Sequence, residues 1–284
     1  MIYDDSFQSP ASRRQFLKTG VLGMAFFAGL RSAAANAQRM TPMVKRNPTD
    51  AERQAVHDYH TKGNKILFED DFRSQTEFEK NWTVFTDNRS DLLACRTEKS
   101  LFITDKGLLI RTIPADHCIA KWSTGEIISK QAFQYGLYEA YINIAHGAGV
   151  DNAFWLTSAG DLKDGSGDSF EIDIAETYYP SLIRSTLHRH NLHKGIDLYE
   201  TGYDNRVREN LASGFHDYGV LWTPEAIIFC LDGVAFQTIE TKGTINVPAN
   251  LRLSTALGSS FGGHPAADPT QLTMQVQHVR VVGL

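Results

Sequence analysis

The chain of 284 residues is poor in the features that mark several large protein classes. Three cysteines are too few for a disulfide-stapled scaffold, and the odd number leaves at least one unpaired in a monomer. Lys and Arg number 28 against 33 Asp and Glu, a formal net charge of −5, so no basic footprint speaks for nucleic acid. No apolar run approaches the roughly 20 residues that a membrane-spanning helix needs. No long stretch holds a clean helical period, no internal repeat is visible, and nicotinamide, flavin and phosphate-loop fingerprints are missing. What is present is core material: 42% of residues are hydrophobic and 11% aromatic, which excludes a mainly disordered chain.

The first residues read as transport rather than fold. Ser12-Arg13-Arg14-Gln15-Phe16-Leu17-Lys18 is a twin-arginine run, followed by the short apolar stretch Gly20 to Leu30 and by Ala35-Asn36-Ala37. A basic segment, a short apolar segment and an A-x-A site describe a cleaved export signal, here of the Tat type. Residues 1–37 are therefore expected to be removed, placing the mature protein in the periplasm or outside the cell. Residues 38–65 are polar, hold Pro42 and Pro48, and read as a surface extension with a short helix over Asp50 to His60.

From about Ile66 the pattern is of short strands. Leu108 to Ile113, Leu137 to Ile144, Phe170 to Ala175, Ala226 to Leu231, Leu251 to Leu257 and Leu272 to Val282 are rich in β-branched or aromatic residues. Asp232-Gly233 between apolar runs signals a type I′ hairpin, whose central residues both need positive φ. The alternation in Leu272 to Val282 slips near His278, which suggests a bulge. Residues 66–284 thus predict one all-β sandwich.

The segment Asp168-Ser169-Phe170-Glu171-Ile172-Asp173-Ile174-Ala175-Glu176 carries the chemistry. Alternate side chains of a strand share a face, so Glu171 and Asp173 point together while Ile172 and Ile174 point inward. Glu176 has the wrong parity by one residue, and a β-bulge near Ala175 would restore it. Like charges crowded on one face destabilise a sheet and raise one another's pKa values. That crowding suits a general acid that must keep its proton near neutral pH, and two carboxyl groups about 5–5.5 Å apart suit a retaining glycosidase. A solvated edge-strand face and a divalent-metal site remain the alternatives that spacing alone leaves open.

Glu171-Ile172-Asp173-Ile174-Ala175-Glu176 resembles the bulged E-x-D-x-x-E signature of family 16 glycoside hydrolases of the laminarinase, agarase and carrageenase type. Other segments resemble that family in the same order: Phe68-Glu69-Asp70-Asp71-Phe72, Trp122-Ser123-Thr124-Gly125-Glu126-Ile127, Tyr135-Gly136-Leu137-Tyr138-Glu139-Ala140 and Ala153-Phe154-Trp155-Leu156. Thr186-Leu187-His188, Leu221-Trp222-Thr223-Pro224, Leu231-Asp232-Gly233 and Val279-Arg280-Val281 continue the set. The resemblance implies a concanavalin-like β-jelly roll with a sugar-binding cleft on its concave face. Glu171 would be the nucleophile, Glu176 the acid/base, Asp173 their modulator, and His188 a support beside the acid/base. Trp155 and Trp122 are the candidates for stacking on sugar rings, whereas Trp222 is expected to be packing.

Several positions depart from the family pattern. Glu126 and Leu137 stand where arginines are usual, Asp151-Asn152 where Trp-Pro is usual, and Ser254 where asparagine is usual. Gln277 replaces an aspartate, which puts the calcium site of many relatives in question, and no cofactor is required. His188 and His190 alternate on one strand but lack a clear further ligand, so no metal is assigned. Cys95, Cys118 and Cys230 read as buried small apolar residues. The functional expectation is an exported endo-acting hydrolase of β-linked polysaccharide, β-1,3-glucan before galactan, working with retention as a monomer. A polysaccharide is its partner, with no nucleic acid and no membrane after signal cleavage. A transglycosylase using the same residues, or a lectin-like binding module on the same sandwich, are the other readings.

Overall fold

Two antiparallel sheets carry the architecture of this computed structural model, which describes residues 43–62, 65–88, 92–116, 118–191 and 194–284. The twin-arginine run and the expected cleavage site lie outside the described residues. The seven-stranded sheet runs Ile196–Arg206, Leu182–Asn191, Ser169–Tyr178, Val150–Ser158, Ala249–Leu257, Glu126–Phe133, Trp82–Val84. The nine-stranded sheet is centred on Gly136–Asn143, flanked by His216–Trp222 and Thr273–Val282. Between them lies the main core, with Ile172, Phe154, Leu251 and Leu253 from one sheet meeting Tyr138, Ile142, Val220 and Val279 from the other. A sandwich of this kind was the expectation, and strands occupy each of the six segments that predicted it.

Local chemistry explains two of the legible details. Asp232 and Gly233 have φ of 50° and 70°, and Leu231 pairs with Val234, giving the primed hairpin that the Asp-Gly pair predicts. Opposite Tyr141 and Ile142 stand His278 and Val276, so Gln277 is the extra residue of the expected bulge.

The N-terminal segment is more than a surface extension. Val44–Arg46 adds a strand to the edge of the nine-stranded sheet, pairing with Val234–Glu240. The helix Asp50–Lys62 starts with a capping box: Thr49 Oγ1 accepts from the Glu52 amide and Glu52 Oε2 accepts from the Thr49 amide. Val56 then packs on Leu137, Leu221, Ile228 and Val282 across the outer face of this sheet. That covering explains Leu137, since an arginine there would be driven under the helix. A second helix, Gln75–Asn81, was not expected; Ser74 caps it by accepting from the Glu77 amide.

The cysteines require a correction. Cys95 and Cys118 form a disulfide, and only Cys230 is a buried free thiol among the described residues. Cys95 sits on a strand of the small sheet made by Ala94–Arg96, Trp122–Thr124 and Ile113–Pro114, and Cys118 in the connection leading to Trp122. The bond closes a loop with a sequence separation of 23. Chain entropy puts the stabilisation from a loop of this length at about 3 kcal/mol. Cys95→Ser/Cys118→Ser is expected to lose about that much in urea unfolding, and added reductant should lower wild type to the same level. Equal stability of the two proteins without reductant would count against the bond.

Candidate active site

The strand Ser169–Tyr178 lies between Val150–Ser158 and Leu182–Asn191, and both neighbours report the same irregularity. Phe154 faces Ala175 while the next residue, Trp155, faces Asp173, which leaves Ile174 as an added residue. On the other side Asp173 faces Thr186 and Glu176 faces Arg184, so two residues oppose Ser185 alone. The Ser185 hydroxyl donates to the Ile174 carbonyl at 2.8 Å, satisfying a backbone acceptor that the bulge takes out of the ladder. Ile172, Ile174 and Ala175 all enter the core. Glu171, Asp173 and Glu176 therefore all project from the outer face, as the parity argument predicted.

An outer sheet face normally leaves its polar side chains in water. Here Asp173 is 1% exposed, and Glu176, His188, Thr186 and Ser254 are also buried, so this face is a recess rather than an open surface. His188 Nε2 lies 3.0 Å from Asp173 Oδ2, and His188 stands directly across from Glu171. The ligand-type atoms of Glu171, Asp173 and His188 all lie within 4.8 Å of one another, a donor set that suits a shared proton and also a divalent cation. His188 thus does not sit beside Glu176 as expected. The register puts Arg184 there instead, held by Asp204 through contacts of 2.7 and 3.0 Å.

Burial works against charge on the His188 imidazole, but the hydrogen bond to Asp173 and the charges of Asp173, Glu171 and Glu200 outweigh it and raise its pKa. A raised folded-state value means that protonation stabilises the native state. That stability is fully present below the ordinary histidine value of about 6.5 and is lost as pH rises through the raised one. The stability gap between wild type and His188→Gln should therefore be widest in acid and narrow towards alkaline pH. Urea titrations across pH 5 to 9 measure it, and a gap that grows with pH would contradict the assignment.

Trp155 stands across from Asp173, but it is only 5% exposed, its indole N–H donates to Ser254 Oγ at 3.1 Å, and Arg252 lies 4.2 Å over its ring. That contact accounts for Ser254. Trp122 lies on the small sheet, half-buried against Ala94, Val150 and Leu257, with the Lys121 ammonium over its ring. Trp222 is wholly buried packing, as expected. Asn152 is also held by structural contacts. Its amide accepts from the Ala145 N–H and donates to the Thr177 carbonyl, fixing the strand end next to Glu176.

Sequence reasoning missed a chain of charges along the same face. Glu126, 1% exposed, pairs with Arg96 Nε at 2.7 Å through Oε2 and with Arg252 Nε at 2.8 Å through Oε1. Arg96 in turn meets Asp87 at 3.1 Å, and the Phe85 ring lies beside both guanidinium groups. The only signal in the sequence was that Glu126 broke the family pattern.

Comparisons with known proteins agree with this geometry. The family profile described as Glycosyl hydrolases family 16 matches residues 70–277. Endo-1,3-1,4-beta-glycanase ExsH of Rhizobium meliloti (strain 1021) is 29% identical over 172 residues, covering 57% of this chain and 35% of that protein. Probable xyloglucan endotransglucosylase/hydrolase protein 29 of Arabidopsis thaliana is 29% identical over 154 residues, covering 50% of this chain and 40% of that protein. The chain thus spans well under half the length of these curated relatives. The crystal structure of LamAcat from Zobellia galactanivorans superposes with a TM-score of 0.65 over 78% of this chain and 99% of that one, at 20% identity, a likeness of fold.

Proposed function

The chain belongs to glycosyl hydrolases family 16, and from that premise we propose that it is an exported, endo-acting hydrolase of β-linked polysaccharide that works with net retention. The observation that carries this reading is the bulge at Ile174 and Ala175, which turns Glu171, Asp173 and Glu176 to one recessed face. Glu171 attacks the anomeric carbon while Glu176 delivers its proton to the departing glycosidic oxygen. The C–O bond breaks and a glycosyl ester forms on Glu171. Glu176, now a carboxylate, takes a proton from water, which attacks the same carbon and frees Glu171. Asp173, held by His188, lies between the two in the chain and orients the nucleophile.

A β-1,3-glucan is favoured as substrate over a galactan, supported by the 1,3-1,4 specificity in the name of the Rhizobium relative. Export is supported by the twin-arginine run and by the Cys95–Cys118 disulfide, since such bonds persist in oxidising compartments. A second reading, transglycosylation, is favoured by the similarity to the Arabidopsis protein. There a sugar hydroxyl replaces water in the second step, on the same two carboxylates.

The test is a reducing-end assay of wild type and Glu171→Gln on β-1,3-glucan, mixed-linkage glucan, xyloglucan and agar-type galactans. New reducing ends from wild type alone, with the β-anomer formed first by NMR, support retaining hydrolysis. Longer products without a net gain of reducing ends favour transglycosylation. Turnover-free binding of these glycans by both proteins overturns catalysis in favour of a binding module.

A further inference from the structure

The strand register sets Asp173, Trp155 and Arg252 side by side on the recessed face. We propose that Arg252 determines specificity: it receives a carboxylate-bearing sugar ring, of the uronic acid type, in the subsite next to the reacting one. The inference rests on the hydrolase reading above and names its substrate class.

Arg252 is anchored from three sides. Its Nε and Nη2 both donate to Glu126 Oε1, and its guanidinium carbon lies 4.2 Å from the Trp155 ring centroid and 5.6 Å from that of Phe85. Nη1 has no protein partner among the described residues. A guanidinium fixed in this way has little rotamer freedom left to lose on binding, and its remaining N–H groups match the geometry of a carboxylate.

The charge balance sharpens the choice of ligand. Asp87, Arg96, Glu126 and Arg252 are two acids and two bases, but they differ in what solvent meets. The side chains of Glu126 and Arg96 are 1% and 2% exposed, that of Asp87 11% and that of Arg252 17%. The more accessible end of the network is thus a cation, and it is the end that lies against Trp155. Asp173 is two strands away, about 10 Å at ordinary strand spacing. A carboxylate at Arg252 therefore meets its counter-charge directly and the carboxylates of the bulged strand only at that remove, where repulsion is much weaker than at contact. A carboxylate on the reacting ring itself would lie against them. A bare indole face, by contrast, would favour a neutral pyranose, and here the guanidinium covers that face.

The test uses matched probes: β-linked glucose tetrasaccharides carrying one glucuronic acid, and the same molecules after reduction of the carboxyl group to the alcohol. Binding is measured calorimetrically on Glu171→Gln protein, and kcat/KM on wild type, Arg252→Lys and Arg252→Gln. Tighter binding of the acidic probe, by about tenfold or more, is expected, since a site built around a fixed donor discriminates strongly against a ligand lacking the acceptor. The acidic-to-reduced ratio of kcat/KM should fall in Arg252→Gln and recover in part in Arg252→Lys, which keeps the charge against Glu126. Equal binding and equal turnover of the two probes overturns the role of Arg252 while leaving the hydrolase intact. Absence of turnover on these probes and on the neutral glucans together would instead remove the hydrolase reading, and calorimetry on the same protein would still score the preference.

Discussion

Replacing Glu171 by glutamine should lower release of reducing ends by about 10⁴-fold, with binding of oligosaccharide still measurable. The amide keeps the size and hydrogen-bonding outline of the carboxylate, and the position is only half-buried, so the fold has little reason to change. What is lost is the oxygen able to form the glycosyl ester. Glu176 gives a separable signature, because its two roles depend on the leaving group. In Glu176→Ala a polysaccharide bond should be cut very slowly, while an aryl β-glycoside with an acidic phenol, which needs no proton to depart, should form the ester far more readily. Azide, needing no general base, should then release a β-glycosyl azide from Glu176→Ala. From Glu171→Ala the same anion would attack the free face and give the α-product. Products of the opposite configuration would exchange the roles of the two glutamates, and wild-type activity in Glu171→Gln would falsify the mechanism.

The face that carries the three carboxylates was legible in the sequence because its information is local. Strand parity alone puts Glu171 with Asp173, and the single missing step to Glu176 can be supplied only by an added residue between them. The structure places it at Ile174, where Ser185 answers the displaced carbonyl. The Asp232-Gly233 turn was legible for the same reason, since its φ requirement belongs to two adjacent residues. Contacts that depend on how distant segments meet were not legible. Cys95 and Cys118 bond because the small sheet folds the connection back on itself, a fact that neither spacing nor the odd cysteine count contains. His188 could be placed on the neighbouring strand, but its register, opposite Glu171 rather than Glu176, is set by where the bulge falls.

The departures from the family pattern were visible one at a time, and the reasons for three of them lie in partners far along the chain. Leu137 is apolar because Val56, on the helix Asp50–Lys62, covers it. Ser254 is small and hydroxylated because the Trp155 indole N–H needs an acceptor there. Glu126 is acidic because Arg252 and Arg96 bring their charges to it from two other strands. Each of these three is one half of a pair, and single positions read in isolation show only that something has changed.

Of these pairs Glu126 is the one whose loss should cost most in stability. It is 1% exposed and holds two guanidinium groups, one of them on a side chain only 2% exposed. Burying an ion pair is at best a balanced exchange, but removing one partner leaves the desolvation cost of the other without its return, about 3–5 kcal/mol. Glu126→Gln keeps the shape, yet it turns one acceptor oxygen into a donor that points at an arginine. It also takes from both Arg96 and Arg252 the counter-charge that each meets in Glu126. The expected result is a urea midpoint shifted down by an amount corresponding to about 3 kcal/mol or more, with an unchanged slope. Raising the salt concentration should recover little of it, because ions screen buried charges poorly. A loss below about 1 kcal/mol would be the value typical of a solvated surface pair. In that case the network would have to be open to water, and Arg252 would lose the rigid anchoring that its proposed role requires.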